Sequence, residues 1–285
     1  MIPAAFDYAA PASLEEAMAL LAGHPDDAKL IAGGHSLLPL MKLRLATPQL
    51  LVDLGKIPDL RYIEEKGDHL AIGAMTTHYQ VSISEAVRRR AGLLADSAAV
   101  VGDMQVRNRG TVGGSLAHAD PASDLPAAAL ALGAQLVARS RSGERVIAAA
   151  DFFQDIWTSA LEPEEILTEV RIPFQDGKAQ AYEKFRQRAG DWAIVGAAVS
   201  VARRNGTIDR ADVILTNVGP TPVRARAVES ALQGQPVSPE VVRAAAEQAA
   251  DGLDPAPELK ASPDYKRHLA RVLTRRALER ALQIS

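Results

Sequence analysis

Cysteine is absent from the 285 residues of this chain. The absence excludes disulfide bonds, thiolate-ligated iron–sulfur clusters and a cysteine nucleophile within the chain itself. It also fits a reducing compartment, and we expect a cytoplasmic protein. The segment Met1–Asp7 contains no basic side chain and no long apolar stretch, so we expect no signal peptide.

Long apolar runs and an excess of basic residues are also missing. No apolar run approaches the roughly 18 residues that a membrane span needs, and the formal net charge is −3. The composition therefore predicts neither a membrane span nor a nucleic-acid surface. The only tight basic cluster is Arg88–Arg90. We interpret it as the solvated face of a helix, with a contact to a partner as the alternative.

Several motifs that mark common active sites are missing as well. The sequence has no Gly-x-Gly-x-x-Gly opening a helix, no Gly-x-Ser-x-Gly and no His-x-x-x-His. These absences argue against a Rossmann dinucleotide site, a serine hydrolase elbow and a metal site on one helix face. We therefore predict no catalytic residue and no metal ligand in this chain.

The sequence does contain two glycine motifs, about eighty positions apart. The first consists of Ala32, Gly33, Gly34, His35 and Ser36 and follows a short apolar segment that reads as a strand. Paired glycines can adopt positive φ and expose their amide N–H groups, and successive N–H groups form a concave anion site. The side chains of His35 and Ser36 add hydrogen-bond donors at its rim.

The second motif repeats this arrangement. It consists of Thr111, Val112, Gly113, Gly114 and Ser115. If the two loops face each other, each can hold one phosphate of an elongated ligand that carries two. The alternative is a pair of unrelated tight turns, and spacing alone leaves both interpretations open.

The remaining pattern predicts an α+β protein. Its first domain covers residues 1–175, with lobes at about 1–57 and 58–175, and a smaller domain of residues 176–285 adds an antiparallel sheet and helices. Helices are predicted from Ser13 to Gly23 and at residues 37–45, 79–87, 93–101, 125–132, 223–232, 239–248 and 263–282. Strands are predicted at residues 28–32, 50–53, 60–64, 69–73, 134–139, 145–149, 166–172, 181–187, 194–203 and 207–216.

Short matches along the whole chain reveal a resemblance to a known family. They are Ile2-Pro3, Phe6–Tyr8, Ala32–Ser36, Leu45–Pro48, Val52–Leu54, Ile72–Thr77, Thr111–Gly114, Asp120-Pro121, Asp124–Pro126, Glu165–Leu167, Arg171–Pro173 and Leu215–Val218. The order and spacing of these matches resemble those of the FAD-binding medium subunit of the molybdenum hydroxylases, most closely that of aerobic carbon monoxide dehydrogenases. The resemblance implies a two-lobed FAD-binding domain of the vanillyl-alcohol-oxidase type, followed by a C-terminal domain of the carbon monoxide dehydrogenase flavoprotein type.

The resemblance also implies roles for residues around a noncovalently bound FAD. Ala32–Ser36 and Thr111–Ser115 would bracket its diphosphate. Asp124 would bind a polar part of the cofactor, in the ribose–diphosphate region. Leu167 would pack on the adenine side.

Three further residues are implied at the flavin end of the cofactor. Lys184 would approach the flavin from the C-terminal domain. Trp192 would lie beside the isoalloxazine ring, where related chains often place an aromatic residue. Val101 would provide an apolar contact to the flavin.

Ordinary structural roles are the alternatives for several of these residues. Asp124 could cap the following helix, Lys184 could be a solvated strand residue, and Trp192 could belong to a core. His78 and His118 have no partner in the sequence pattern, so we interpret both as structural.

Two residues of the glycine motifs need separate comment. Many relatives have Asn where this chain has Ser115, and a hydroxyl can still donate, with a water molecule bridging the difference. Some flavoproteins of the superfamily attach FAD to a histidine in a turn equivalent to that of His35. Molybdenum hydroxylases generally do not, so we expect noncovalent binding.

The function implied by the resemblance is electron transfer. The chain would take electrons from [2Fe–2S] clusters on a small subunit and pass them through FAD to an external acceptor. A large subunit with the molybdenum cofactor would oxidise the substrate, carbon monoxide being one candidate, in a dimer of heterotrimers.

The alternative is a free-standing FAD oxidase or reductase, similar to the cell-wall precursor reductase, for which Ser115 and His35 are the only candidate proton donors. Two intact glycine motifs argue against a scaffold that has lost its flavin.

Overall fold

Three parallel strands form the sheet of the N-terminal lobe. A computed structural model describes residues 1–284, and the lobe comprises β1 (Asp7–Ala9), α1 (Leu14–Gly23), β2 (Ala28–Ile31), α2 (Leu37–Lys42) and β3 (Leu50–Asp53). Strand β3 lies between β1 and β2 and pairs with both in parallel. Helix α1 begins as predicted, because the Ser13 hydroxyl accepts a hydrogen bond from the Glu16 N–H at 3.2 Å.

Five antiparallel strands form the sheet of the second lobe, in the order β4-β5-β10-β6-β7. The elements are β4 (Ile63–Lys66), β5 (His69–Gly73), α3 (His78–Ile83), α4 (Glu85–Arg90), α5 (Gly92–Ala99), α6 (Met104–Arg109), α7 (Val112–His118), α8 (Asp124–Ala131), β6 (Gln135–Ser140), β7 (Gly143–Ala148), α9 (Ala149–Phe152), β8 (Phe153–Asp155), β9 (Thr158–Ser159) and β10 (Ile166–Pro173). The core of this lobe contains Ile72, Leu136 and Val170 from the sheet and Leu116 and Leu125 from the helices, all inaccessible to solvent.

Four antiparallel strands and three helices complete the described chain. They are β11 (Ala179–Phe185), β12 (Val195–Arg204), β13 (Thr207–Thr216), β14 (Val223–Arg224), α10 (Arg226–Leu232), α11 (Pro239–Ala246) and α12 (Pro263–Leu282). Because side chains alternate along a strand, the sheet contributes to two cores. Tyr182, Ala198 and Ile214 pack into the core of the second lobe, while Val199 and Leu215 pack with the C-terminal helices. Within residues 1–284 no helix, α12 included, combines the length and apolar composition that crossing a bilayer requires.

Several predicted helices have different boundaries in the structure, and the helix predicted at residues 37–45 ends at Lys42. The helix predicted at residues 79–87 is divided into α3 and α4, because the Ser84 hydroxyl caps a new helix by accepting the Val87 N–H at 3.4 Å. The helix predicted at residues 223–232 begins only at Arg226, since the preceding residues form the edge strand β14.

The second glycine motif also differs from the prediction. The sequence predicts a loop at Thr111–Ser115, but Val112 to His118 form helix α7. The Thr111 hydroxyl caps this helix by accepting the Gly114 N–H at 3.1 Å. Glycine is needed at Gly113 because the Ala74 backbone packs closely against it, and a Cβ atom at Gly114 would lie 2.7 Å from the Thr111 hydroxyl oxygen.

The basic cluster Arg88–Arg90 is engaged within the protein. Arg88 donates to the Ser82 carbonyl oxygen, and Arg89 and Arg90 pair with Glu65 of β4. Arg90 also pairs with Asp176 at 2.7 Å, which ties helix α4 to the segment before β11. Arg88 and Arg89 nevertheless stay exposed, so the cluster is a solvated helix face, as interpreted from sequence, with surface ion pairs added to it.

Candidate functional site

The first glycine motif lies where the parallel strand β2 ends. After Ile31 the chain leaves the sheet, Gly34 adopts a positive φ of 76°, and α2 begins at Leu37. The backbone N–H groups of residues 33–36 find no acceptor among residues 1–284. A run of free amide donors suits an anion, and the exposed His35 lies at its rim. Of the two glycine motifs, this one has the backbone to hold a phosphate.

The turn that leads into the second glycine motif, at Arg109 and Gly110, lies directly against the first motif. A Cβ atom added to Gly33 would lie 2.4 Å from the Arg109 carbonyl oxygen and 2.7 Å from Gly110 Cα. A Cβ atom added to Gly114 would lie 3.5 Å from Ala32 Cβ. The first of these approaches is possible only because glycine has no side chain. The two motifs therefore form one continuous surface, as the hypothesis of facing loops requires.

The backbone of the second motif is already hydrogen-bonded within the protein. The Gly113 N–H donates to the Ala74 carbonyl oxygen at 2.8 Å, and a Cβ atom at Gly113 would lie 2.4 Å from Ala74 Cβ. The Gly114 N–H donates to the Thr111 hydroxyl at 3.1 Å. The predicted second cradle of free amides is therefore wrong. These glycines serve close packing, and the motif can offer a ligand only its surface and its side chains.

Ser115 is the side chain of the second motif that can meet a ligand. It is partly exposed, and its hydroxyl oxygen lies 2.7 Å from that of the buried Ser123. Because a hydroxyl both donates and accepts, Ser123 can hold the orientation of Ser115 while a second partner binds. Ser123 immediately precedes helix α8, so this contact leads toward the C-terminal domain.

A buried ion pair joins the second lobe to the C-terminal domain. Lys184 Nζ on β11 donates to the Asp124 carboxylate at 2.8 Å, and both side chains are only 3% exposed. The Tyr182 hydroxyl donates to the same carboxylate at 2.8 Å. Burial raises the pKa of the Asp124 carboxyl, against the lowering effect of the Lys184 ammonium, and burial also raises the pKa of the Tyr182 hydroxyl. The structure thus places Asp124 and Lys184 together, and Lys184 is not the solvated residue considered above.

The backbone beside Val101 is held by three cationic side chains. Lys184 and Arg186 donate to the Val100 carbonyl oxygen at 3.2 and 3.1 Å, respectively. Arg107 donates to the Val101 carbonyl oxygen at 2.9 Å. These bonds fix the connection between α5 and α6, and the Val101 side chain stays partly exposed. The concentration of positive charge also favours an anionic ligand nearby.

The other predicted residues differ in exposure. Trp192 is 50% exposed, in the loop between β11 and β12. The Ala193 N–H donates to the Ala122 carbonyl oxygen at 3.3 Å, so this loop lies beside the segment that links α7 with α8. Leu167 and Val112 belong to the core of the second lobe and are 5% and 0% exposed. A ligand contact with either side chain requires that core to open locally.

His78 lies behind the contact between the two glycine motifs. Its backbone N–H donates to the Gly110 carbonyl oxygen at 3.0 Å, and its imidazole ring fills the space where a Gly110 side chain would lie. The side chain is buried, and Nδ1 has no hydrogen-bond partner among residues 1–284. Burial, with positive charge from His35 and Arg107, lowers the pKa of His78 to about 4. The ring is therefore neutral at neutral pH.

We expect His78 to make the protein less stable in mild acid. The unfolded chain takes up a proton at His78 below the ordinary pKa of 6.5, whereas the folded chain does so only near 4, so stability falls as the pH drops through this window. From about pH 7.5 to about pH 4.5 the loss in unfolding free energy is about 2–3 kcal/mol. Urea unfolding at both pH values measures it.

A matched pair of substitutions isolates this contribution. His78→Leu should remove it, whereas His24→Leu, at an exposed histidine, should leave it in place. An unchanged pH dependence in the His78→Leu variant would contradict the assignment.

Arg107, Ser123 and Asn217 also lie around the candidate site and were not predicted from the sequence. Asn217 follows β13 with a positive φ of 60°, and its N–H donates to the Pro121 carbonyl oxygen at 2.9 Å. Asn217 lies within the family match Leu215–Val218, which was an available signal. The other two act through contacts that only the folded chain creates.

The arrangement suits an extended cofactor that carries a phosphate group. Free amides, hydroxyl groups and cationic side chains line a surface that leads from β2 to the C-terminal domain. In residues 1–284 no group of three or more histidine, aspartate or glutamate side chains is placed to hold a metal ion.

Two protein families match the sequence. The family described as the FAD binding domain in molybdopterin dehydrogenase matches residues 4–175. The family described as the CO dehydrogenase flavoprotein C-terminal domain matches residues 180–281. Together the matches span almost the whole chain.

Individual relatives match over their full length. The carbon monoxide dehydrogenase medium chain of Hydrogenophaga pseudoflava is 44% identical, covering 99% of this chain and 98% of that protein. The 6-hydroxypseudooxynicotine dehydrogenase complex subunit alpha of Paenarthrobacter nicotinovorans is 39% identical, covering 99% and 96%. Among solved structures, a chain of the Hydrogenophaga pseudoflava carbon monoxide dehydrogenase lacking the Mo-pyranopterin moiety superposes with a TM-score of 0.96 at 45% identity, covering 99% of both chains.

Proposed function

This chain belongs to the FAD-binding family of the molybdopterin dehydrogenases, and we propose that it transfers electrons from the [2Fe–2S] clusters of a small subunit, through FAD, to an external acceptor. It is an oxidoreductase subunit, and its relatives are components of multi-subunit complexes. In this family the iron–sulfur and molybdenum cofactors belong to other subunits. The absence of cysteine supports this division, since the clusters need ligands from elsewhere.

The partners proposed for the chain are a large molybdenum subunit and a small iron–sulfur subunit, in a dimer of heterotrimers in the cytoplasm. Substrate oxidation takes place on the large subunit in this proposal. Carbon monoxide is the proposed substrate, supported by the 44% identity to a carbon monoxide dehydrogenase medium chain. The chain is also 39% identical to a subunit of a 6-hydroxypseudooxynicotine dehydrogenase complex. That substrate should therefore be tested beside carbon monoxide.

The free amide donors of residues 33–36 are the observation that supports the site most strongly. They hold one phosphate of the FAD diphosphate, while the surface formed by Gly33, Gly110 and Gly114 lets the cofactor approach the backbone closely. Bound FAD supplies a centre that exchanges electrons with one- and two-electron partners. His35 and Ser115 act as rim donors, and attachment is noncovalent.

The other predicted residues take positioning or contact roles in this proposal. Asp124 and Lys184 hold each other, and through the Val100 carbonyl oxygen Lys184 fixes the segment that presents Val101 to the flavin. The exposed Trp192 faces the flavin from the C-terminal domain. Val112 and Leu167 support the diphosphate and adenine sides from the core.

The domain division is proposed at residue 175. The two family matches end at residue 175 and begin at residue 180, which supports a boundary in the polar segment between them. The FAD-binding lobes then occupy residues 1–175, and residues 176–285 form the second domain.

Purification of the tagged full chain from cells that also make its partner subunits tests the proposal. We expect flavin absorbance, iron and molybdenum in the same complex, and bleaching of the flavin when carbon monoxide is added without an electron acceptor. Acid denaturation should release the yellow colour, because the attachment is noncovalent. A complex without flavin would contradict the proposal, and turnover of a small substrate by the chain alone would favour a free-standing oxidase or reductase.

A further inference from the structure

The loop that presents Trp192 is held from both sides by side chains of the C-terminal domain. On one side, Lys260 Nζ donates to the carboxylate of Asp191 at 2.6 Å, and Asp191 immediately precedes Trp192. On the other side, Asn217 Nδ2 donates to the carbonyl oxygens of Ala193 and Ile194, at 2.9 and 3.3 Å. The backbone on each side of Trp192 is therefore fixed, although half of its side chain is exposed.

These contacts converge on the short segment that precedes α12. Asn217 Nδ2 also donates to Glu258 Oε1 at 3.0 Å, and Glu258 lies two residues before Lys260. Lys266 Nζ donates to the Asn217 carbonyl oxygen at 3.1 Å and pairs with Glu258. The Lys266 side chain is 2% exposed, so its ammonium depends on these two oxygens for solvation. We call Asn217, Glu258, Lys260 and Lys266 the Asn217 cluster.

We propose that the Asn217 cluster is a positioning device that fixes Trp192 at the edge of the cofactor site. The inference rests on the proposed function, in which Trp192 faces the flavin. The Asn217 N–H donates to the Pro121 carbonyl oxygen at 2.9 Å, and the Ala193 N–H donates to the Ala122 carbonyl oxygen at 3.3 Å. The cluster thus sets the Trp192 loop relative to the segment between α7 and α8, which leads from the second glycine motif.

A purely structural role for Asn217 in the fold of its own domain is the competing explanation. The geometry favours positioning because the side-chain amide bonds the loop rather than its own sheet, and because a second contact, from Lys260, reaches the other side of the same residue. An indole held in advance costs less conformational entropy when the cofactor binds, so the cluster should raise flavin affinity.

Asn217→Gly removes the side-chain contacts while keeping a backbone that tolerates the positive φ of 60°. Asn205→Gly is the matched control, because Asn205 has a positive φ of 51° in the exposed turn between β12 and β13. Both variants are made in a Trp157→Phe chain, so that Trp192 is the only tryptophan. Fluorescence of the full chain then reports on Trp192 directly.

We expect Asn217→Gly to raise the acrylamide quenching constant of Trp192 by about twofold and to weaken FAD retention in the assembled complex by about tenfold relative to Asn205→Gly. Thermal unfolding is measured for both variants, and quenching and FAD retention are compared well below the lower midpoint, which separates positioning from loss of fold. Glu258→Ala, which removes the acceptor shared by Asn217 and Lys266, should change the quenching constant in the same direction, while Glu258→Gln, which keeps an acceptor oxygen, should restore part of it.

Equal quenching in the Asn217→Gly and Asn205→Gly chains would overturn the proposal. Increased quenching with unchanged FAD retention would also overturn it, because the cluster would then fix the loop without serving the cofactor. If the unsubstituted complex contained no flavin at all, the proposed function would fail instead, and the quenching comparison would still decide whether the cluster holds Trp192.

Discussion

A Gly33→Ala chain should fold but retain almost no FAD. The added Cβ atom would lie 2.4 Å from the Arg109 carbonyl oxygen and 2.7 Å from Gly110 Cα, and both obstacles are backbone atoms that cannot rotate away. Relief requires the two glycine motifs to separate, which moves the free amides of residues 33–36 away from the opposite wall. We expect FAD affinity to fall at least about a hundredfold, equivalent to about 2.7 kcal/mol. The cost in folding stability is about 1–3 kcal/mol.

Gly23→Ala provides the control for this experiment. Gly23 lies at the end of α1 in the same lobe, and a Cβ atom there would have nothing within 4 Å. The control should bind FAD normally and be no less stable than the parent, since alanine favours a helix. Flavin absorbance per chain measures retention, and circular dichroism checks the fold. A Gly33→Ala protein with a full complement of FAD would show that the contact between the motifs does not shape the site.

Lys184→Met should destabilise the chain by about 3–5 kcal/mol, because it leaves the Asp124 carboxylate buried without its cation. In the parent, Lys184 Nζ lies 2.8 Å from that carboxylate and both side chains are 3% exposed. Without the ammonium, burial raises the pKa of Asp124 unopposed by its main counter-charge. The folded variant then holds a proton that the unfolded chain releases, so its stability should fall further as the pH rises above the ordinary aspartate pKa of 3.8.

Two further variants complete this test. The double substitution Lys184→Met with Asp124→Asn should recover most of the loss, because it removes both charges and leaves an amide for the Tyr182 hydroxyl. Arg204→Met breaks an exposed ion pair in which the Arg204 side chain is 73% exposed and that of Asp209 is 42% exposed. This substitution should lower the free energy of unfolding by at most about 1 kcal/mol. Urea unfolding at several pH values measures all of them. A Lys184→Met chain as stable as Arg204→Met would contradict the buried ion pair.

Elements with local signals could be predicted from the sequence. The C-terminal helix was predicted at residues 263–282 and is confirmed as α12, because Ser262 caps it and Pro263 occupies its first position. The strands predicted at residues 194–203 and 207–216 are confirmed as β12 and β13, and they are joined at Asn205-Gly206, where both residues take positive φ. The resemblance to the FAD-binding medium subunits is confirmed by matches over almost the whole chain.

The second glycine motif lies in helix α7 rather than in the loop that its sequence predicts. Two adjacent glycines usually mark a turn, because glycine disfavours helix. Here Gly113 is required instead by its approach to Ala74, a residue almost forty positions earlier in the sequence. Local pattern contains no information about that neighbour, so the glycines could be identified but their purpose could not.

The buried ion pair was equally beyond local pattern. Asp124 begins a helix of the second lobe, and Lys184 lies 60 residues later on a strand of the C-terminal domain. Each residue is unremarkable in its own segment. Only docking of the sheet on helix α8 removes both from water and makes them partners, and the same holds for Asn217 and its contacts to the Trp192 loop.

The sheet of the C-terminal domain has a consequence for how the protein can be divided. Tyr182, Ala198 and Ile214 lie in the core of the second lobe. The C-terminal sheet is therefore part of that core and not the surface of an independent domain. Cutting the chain at residue 175 would remove these side chains from the core of the FAD-binding half and expose the apolar residues that they cover. The cofactor-binding half and the C-terminal half should therefore unfold as a single cooperative unit.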